Sequence, residues 1–366
     1  MSDNAVERFL VIFISIFFEA LPFIALGALI SGTLEELLPQ GAITRLLPRR
    51  RSLAVGASAL LGLMFPMCEC GIVPVMRRLL RKGLPLSCAV AYMLAAPVIN
   101  PVVIASTWAA FSGDRTGLDG LTSMQMVGWR VGLAFVTAVT VAHVVQWADQ
   151  RYGLEALLLP IRGLAWPRAH RANENEIEAS NDPLNPLMEK KSAASAEVKN
   201  HSEETPRPAA SQTRWPWYVR LANIAEIAIH DFLEITCFLI LGATLAAIVQ
   251  SADLLSYLPV LKDIPFLAVP AMMLLAVLLC LCSEADAFVA ANLIAIPFGG
   301  KLAFLVLGPM LDLKLYLMYT RVFRPRLIWT IIGSVAITVG ILALAAHYFD
   351  VLIRGSWLAT MTSSSS

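Results

Sequence analysis

Apolar residues run along this chain in long, nearly unbroken blocks, with charged residues confined to block edges and to a few isolated interior points. The first block, residues 9–34, exceeds the roughly 20 residues that an α-helix needs to cross a hydrocarbon core. Others cover residues 53–80, 84–111, 124–148, 224–250, 266–298, 302–319 and 327–349. Two blocks are interrupted by polar chemistry. Residues 64–82, MFPMCECGIVPVMRRLLRK, set Cys68, Glu69 and Cys70 beside Pro66, Gly71 and Pro74. Residues two apart project to opposite sides of a continuous helix but share a face in extended backbone, so these thiols act together only at a helix break. The glycine and prolines are read as supplying that break. The counterpart is Cys280-Leu-Cys282-Ser-Glu284-Ala-Asp286.

The two stretches belong to a longer internal repeat. FEALPFIALGA at residues 18–28 aligns with LEITCFLILGA at 233–243, setting Glu19 against Glu234 and Gly27 against Gly242. Cys68 and Cys70 face Cys280 and Cys282, and the same offset sets Pro97 against Pro309 and Asn100 against Asp312.

Charge fixes the expected topology. Arg45, Arg49, Arg50 and Arg51 precede residues 53–80, and Arg77, Arg78, Arg81 and Lys82 end them. Basic flanks on both sides conflict with a full crossing under the positive-inside rule. They agree with a re-entrant hairpin whose tip holds Cys68, Glu69 and Cys70. The expectation is an all-α polytopic membrane protein of two inverted repeats, each about three transmembrane helices plus a broken or re-entrant helical hairpin. A rival count gives eight crossings and parallel repeats, and puts a basic cluster outside. The expected divisions are a first transmembrane repeat (1–165), a disordered cytoplasmic linker rich in Glu, Asn, Ser, Lys and Pro (166–215), a second transmembrane repeat (216–355) and a mobile tail (356–366).

Composition narrows the function classes. With 57% apolar and 15% charged residues and a mean hydropathy of +0.68, the chain lies outside the soluble globular range. A net charge of +1 argues against nucleic acid as a partner. The six cysteines sit in apolar runs, which argues against a disulfide framework. The first apolar block lacks the short core and small-residue cleavage site of a signal peptide. No phosphate-binding glycine loop and no nucleophile–base–acid set stands out, so no cofactor and no enzymatic activity are expected. His143, His230 and His347 show no metal-ligand spacing, and Cys88 and Cys237 are read as core filler.

The candidate chemistry lies in buried acids and thiols. A charge at mid-membrane depth costs at least ~2.5 kcal/mol on insertion scales and marks a pathway or proton site by default. Glu69, Glu284, Asp286 and Asp312 are therefore candidate substrate-binding residues, and Glu19 and Glu234 candidate proton-coupling residues. Lys314 can neutralise one of these carboxylates across a helix pair. Asn100, between Pro97 and Pro101, offers an amide at a kink. The bland alternatives are that the cysteines are small apolar side chains and that the acids sit at a solvated hairpin end.

Residues 65–100, with CECGIVP, RRLLRKG and APVINP, together with CSEADAF and GPMLDLK in the second half, resemble the predicted permease family that includes the trivalent organoarsenical efflux permease ArsP and the YraQ-type permeases. The resemblance implies a multi-pass permease of the bacterial inner membrane. In the ArsP branch it implies thiols that hold trivalent arsenic, hence efflux and arsenical resistance. The expected function is export of a small thiophilic solute, inorganic or organometalloid, by secondary transport. Soft thiolates select such species, with Cys68, Cys70, Cys280 and Cys282 as ligands. Any metal held by Cys68 and Cys70 is then transported cargo. The competing reading is a membrane thiol-disulfide oxidoreductase using the Cys-x-Cys pairs. The expected partners are the lipid bilayer and the solute, with homo-oligomerisation left open.

Overall fold

The computed structural model describes residues 2–37, 48, 50–63, 67–112, 123–158, 217–251, 265–294 and 296–363. The expected linker lies outside them, as does most of the expected outer loop at 112–122. Apart from the first turn of one helix, the described residues belong to one compact unit, Met1–Ile161 with Leu221–Ser366.

Among the described residues the chain is all-helical, with one isolated antiparallel bridge between Leu158 and Phe323. The first half contributes α1 (Ser2–Leu37), α2 (Arg51–Leu60, extended by a 3₁₀ turn to Leu63), α3 (Glu69–Arg81), α4 (Leu86–Ala95), α5 (Pro101–Ala110), α6 (Ser123–Tyr152) and the single turn α7 (Leu154–Leu157). The second half contributes α8 (Trp217–Ser251), α9 (Pro265–Leu279), α10 (Ala285–Asn292), α11 (Phe298–Leu307), α12 (Leu313–Tyr319) and α13 (Pro325–Ser363). Residues 356–363, read as a tail, are thus helical.

Among the described residues, three stretches are long and apolar enough to cross a membrane: Val6–Glu36, Ser123–Tyr152 and Pro325–Leu352. Their outer faces carry large apolar side chains such as Val11, Phe18, Leu29, Ile337 and Ile341. Apolar surface of that extent on one side of a helix belongs in lipid. The α8 helix is as long, at 35 residues, but holds Arg220, Glu226, Asp231 and Glu234.

The remaining helices are short. At 1.5 Å per residue, ten residues of α2, α4, α5 or α11 reach only about half of a 30 Å hydrocarbon core. The expected unbroken crossings at 84–111 and 302–319 are each split, at residues 96–100 and 308–312. Buried helix ends expose N–H groups that lipid cannot satisfy, and a side chain meets this need at each split. Asn100 Oδ1 accepts from Val102 N (2.8 Å) and Val103 N (3.2 Å), with Pro101 at the first helical position, where no N–H is required. Asp312 Oδ1 accepts from Leu315 N (2.6 Å) in the same way.

The break at the first thiol stretch lies elsewhere than its glycine and second proline suggest. Cys68 is extended and the helix opens at Glu69, so Gly71 and Pro74 both lie inside α3. Gly71 serves close approach instead. A Cβ added at Gly27 of α1 would sit 2.8 Å from Gly71 Cα, so the two glycines let the α1 and α3 backbones touch. The hairpin arms α2 and α3 share α4 as a neighbour rather than packing mainly on each other; α2 also lies on α6, and α3 on α1 and α12. The same grouping recurs in the second half. Helices α2, α4 and α6 pack mutually, as do α9, α11 and α13, while α3 lies on α4 and α10 on α11.

The Gly27–Gly71 contact is testable. Gly27→Val should cost about 1–3 kcal/mol by overpacking and lower the melting temperature of the detergent-solubilised protein. Gly128→Ala, with nothing within 4 Å of the new methyl, should leave it unchanged or raise it.

Candidate functional site

The short helices point their capped and broken ends at one polar centre. Glu69, the first residue of α3, is 1% exposed, and its Oε1 lies 3.5 Å from Lys314 Nζ on α12. Lys314 Nζ also lies 3.4 Å from Asp312 Oδ2, so one buried ammonium bridges a carboxylate from each half. Asp286, in the first turn of α10, is equally buried and lies within Coulombic reach of Glu69, Lys314 and Asp312. Its position depends on a missing side chain, since a Cβ at Gly308 would sit 2.6 Å from Asp286 Oδ2.

A second cation enters from α6. Arg130 is 1% exposed; its Nη1 donates to Thr107 Oγ1 on α5 (2.6 Å) and its Nη2 to the Ser283 carbonyl (2.8 Å). It stands within Coulombic reach of Asp286 and Glu284. Buried oxygens that accept no hydrogen bond collect here: Glu69 Oε2, Asp286 Oδ2 and Glu284 Oε2, while Asp312 Oδ2 is met by the Lys314 charge alone. Such groups are costly unless something else meets them.

The predicted thiols border this centre. Cys68 is buried in extended backbone as the residue before α3. Cys70 is the second residue of α3; its side chain, and with it the expected convergence of the first pair, lies outside the described residues. Cys280 is buried, and its thiol donates to Val277 O (3.1 Å). At φ +49° it is the one non-glycine residue with positive φ among those described, a conformation that costs about 1–3 kcal/mol and gathers at functional sites. Asp312 and Lys314 lie within its Coulombic reach. Cys282, half-buried, donates to Glu19 Oε1 (2.9 Å) and lies within reach of Glu69. Both thiol stretches therefore abut the Glu69–Lys314–Asp312 bridge. Asn100 joins from the side, its Nδ2 3.5 Å from the Met67 carbonyl.

Glu234 does not belong to this group. It pairs with Arg77 at 3.2 Å and both side chains are about one-third exposed. Beside it, Arg78 binds Asp231 (2.7 Å), Ser31 (2.5 Å) and Glu35 (3.2 Å), while Arg81 and Lys82 reach Glu35 at 3.8 and 3.7 Å. The RRLLRK cluster, the basic flank that ends residues 53–80, is thus an ion-pair network joining α1, α3 and α8, with Arg78 and Lys82 buried. His230, Asp231 and Glu234 bring one ligand atom each within 4.8 Å, by a helical spacing that the sequence reading does not single out. Both carboxylates are already held by guanidiniums, which makes the trio part of this network. Cys237, read as core filler, is exposed on α8.

Sequence reasoning misses Arg130 and Thr107. The available signal is a lone arginine in the apolar run GWRVGLAF, which an amphipathic or lipid-facing helix does not tolerate without a buried partner.

Fold and centre together define a polytopic membrane protein with a charged interior, the architecture of a permease. The model of a family described as "Predicted permease", the ArsP type, matches residues 5–348, and the chain belongs to that family. It is 32% identical over 329 residues to the UPF0718 protein YcgR of Bacillus subtilis, covering 90% of this chain and 93% of that one. It is 29% identical over 333 residues to a Streptococcus mutans protein named "Putative two-component membrane permease complex subunit", covering 90% and 92%. No solved structure matches it.

The bridge predicts an unequal pair of substitutions. Lys314→Met strands Glu69 and Asp312 together and should cost about 3–5 kcal/mol, seen as loss of folded protein on size exclusion. Glu69→Gln leaves Lys314 with Asp312 and should cost less, about 1–3 kcal/mol. Equal losses would remove the shared-ammonium account.

Proposed function

We propose that this permease moves a small thiophilic solute across the bacterial inner membrane, with Cys68, Cys280 and Cys282 as soft ligands and the neighbouring carboxylates as its proton-binding groups. The observation that carries this reading is that two thiol stretches, about 210 residues apart, border one buried ion bridge. Thiolate sulfur prefers soft species such as trivalent arsenic or copper(I). Three buried carboxylates, Glu69, Asp286 and Asp312, face two buried cations, Lys314 and Arg130. With Glu284 beside Arg130 as well, the carboxylates outnumber the cations, and this negative excess is available to a proton or a cationic solute, which suits coupling to a proton gradient. Glu19, hydrogen-bonded to Cys282, would exchange a proton with that thiol.

Two repeats of opposite orientation suit this function, because alternating access is most simply built by rocking one repeat against the other about a shared site. The recurring helix grouping and the paired caps Asn100 and Asp312 support that reading. An access path to the centre would run through the void of ≈ 20 Å³ lined by Val73, Pro74, Arg77, Glu234 and Met318, room for about one water molecule. Val73 and Met318 stand one helical turn beyond Glu69 and Lys314. In this closed state Arg77–Glu234 seals the path.

Resistance of a complemented knockout strain to a trivalent aryl arsenical and to copper(I) tests the solute. At equal expression, Cys68→Ser, Cys280→Ser or Cys282→Ser should reduce resistance roughly tenfold or more, and Glu69→Gln should shift the pH dependence of transport. Unchanged resistance with Cys68, Cys70, Cys280 and Cys282 all replaced by serine would reject thiol coordination and leave a solute held by carboxylates.

The path has its own test. Cysteines introduced at Arg77 and Glu234 and joined by a short bifunctional cross-linker should stop transport until the link is cleaved. Full activity of the cross-linked protein would take this void out of the route.

A further inference from the structure

We infer that Arg130 is the positioning residue that holds the Cys280–Glu284 turn in its solute-binding shape, a role that rests on the permease reading above. The turn between α9 and α10 has few ties of its own. Cys280 occupies a left-handed conformation, which needs surrounding structure to maintain it. The Cys282 carbonyl is bound by Asp286 N (3.0 Å) at the start of α10, and the Cys282 thiol points to Glu19. The Ser283 carbonyl, between the second thiol and Glu284, receives Arg130 Nη2.

Arg130 suits this task because of its shape. The planar guanidinium offers donors in a fixed fork; one is spent on Thr107 Oγ1, which itself donates to Val103 O at 2.7 Å on α5, and one on the turn. The arginine thereby fixes the turn to two first-half helices, α5 and α6, and places a positive charge near Asp286 and Glu284. A lysine carries the same charge but has a single nitrogen, on a flexible stem, with which to reach both acceptors. An apolar residue supplies neither bond and leaves Asp286 with one cation fewer. The long helix α6 also packs on α11 and α13, and this side chain would carry its movement to the turn.

The test reads the geometry of the turn without using any solute. In a background where Cys282 is the sole cysteine, its alkylation rate by a membrane-permeant maleimide is compared among variants in native membranes. Losing the hydrogen bond to Ser283 frees the turn, and the rate for Arg130→Lys should rise about threefold to tenfold. Thr107→Val, nearly isosteric, removes the acceptor that orients the fork and should move the rate the same way, whereas Thr107→Ser should restore it. Arsenical resistance of the same substitutions in the natural cysteine background should fall in the same order. If Arg130→Lys does not fold, the Thr107→Val and Thr107→Ser pair decides. Wild-type labelling in both Arg130→Lys and Thr107→Val would overturn the proposal. So would a Thr107→Ser protein that labels like Thr107→Val, since only a missing hydroxyl should matter. A wild-type protein that confers no resistance to the arsenical defeats the solute reading alone, because the labelling comparison stands without it.

Discussion

One ammonium shared by two carboxylates sets the terms for the rest of the molecule. Lys314 lies 3.5 Å from Glu69 and 3.4 Å from Asp312, all three almost wholly withdrawn from solvent. Desolvating such groups is expensive, and the loss is recovered only when the charges meet at close range with their remaining atoms met. Glu69 must therefore open α3 beside α12, and Asp312 must end its turn with one oxygen on Leu315 N and the other toward Lys314. Other features follow from those placements. Gly27 and Gly71 let α1 lie directly on α3, Gly242 leaves space for the stem of Lys314, and Gly308 leaves space for Asp286. A methyl group at any of these glycines would push a charge out of place.

The half-length helices have the same origin. A charged centre in the bilayer interior needs backbone ends and polar side chains around it, and a full-length helix presents neither at mid-depth. Breaking the chain supplies both, at the cost of N–H groups that must be satisfied. The caps Asn100 and Asp312, with Pro101 where no donor is needed, are how this sequence does it. Of the short helices, α4 and α11 are almost wholly buried, whereas α2 and α9 keep exposed apolar side chains such as Leu60 and Leu274.

Much of this is legible in the sequence and some is not. The all-helical membrane class follows from block length and hydropathy. The 212-residue offset that pairs Cys68 with Cys280 also pairs Asn100 with Asp312, and both prove to be caps opening helices of the same place in the order. Eight of the predicted site residues gather round one bridge, the acids among them because a charge set in an apolar run has to find its counter-charge inside the protein. What the sequence hides depends on partners far away in the chain. Arg77 to Lys82 read only as the basic flank of a hairpin because nothing local shows that Glu35, Asp231 and Glu234 will meet them. Gly71 and Pro74 read as the helix break because a glycine that bends a chain and one that admits a neighbouring backbone look alike until that neighbour is known. Arg130 escapes notice because it stands alone, whereas the acids stand beside thiols.

The ties between the halves are mostly polar. Glu69 to Lys314, Cys282 to Glu19, Arg130 to Ser283, Arg78 to Asp231 and Arg77 to Glu234 each cross from one half to the other. In lipid, exposing apolar helix faces carries no penalty, so association relies on close packing at small residues and on such bonds. Polar bonds also exchange partners without a loss of contact area: a carboxylate released by one cation can take a proton or a second cation. Apolar interdigitation has no equivalent, since its cavity stays empty until the same surfaces return. A body whose halves are joined this way can therefore be stable in more than one arrangement of the same charges, and that is the property a permease needs at its centre.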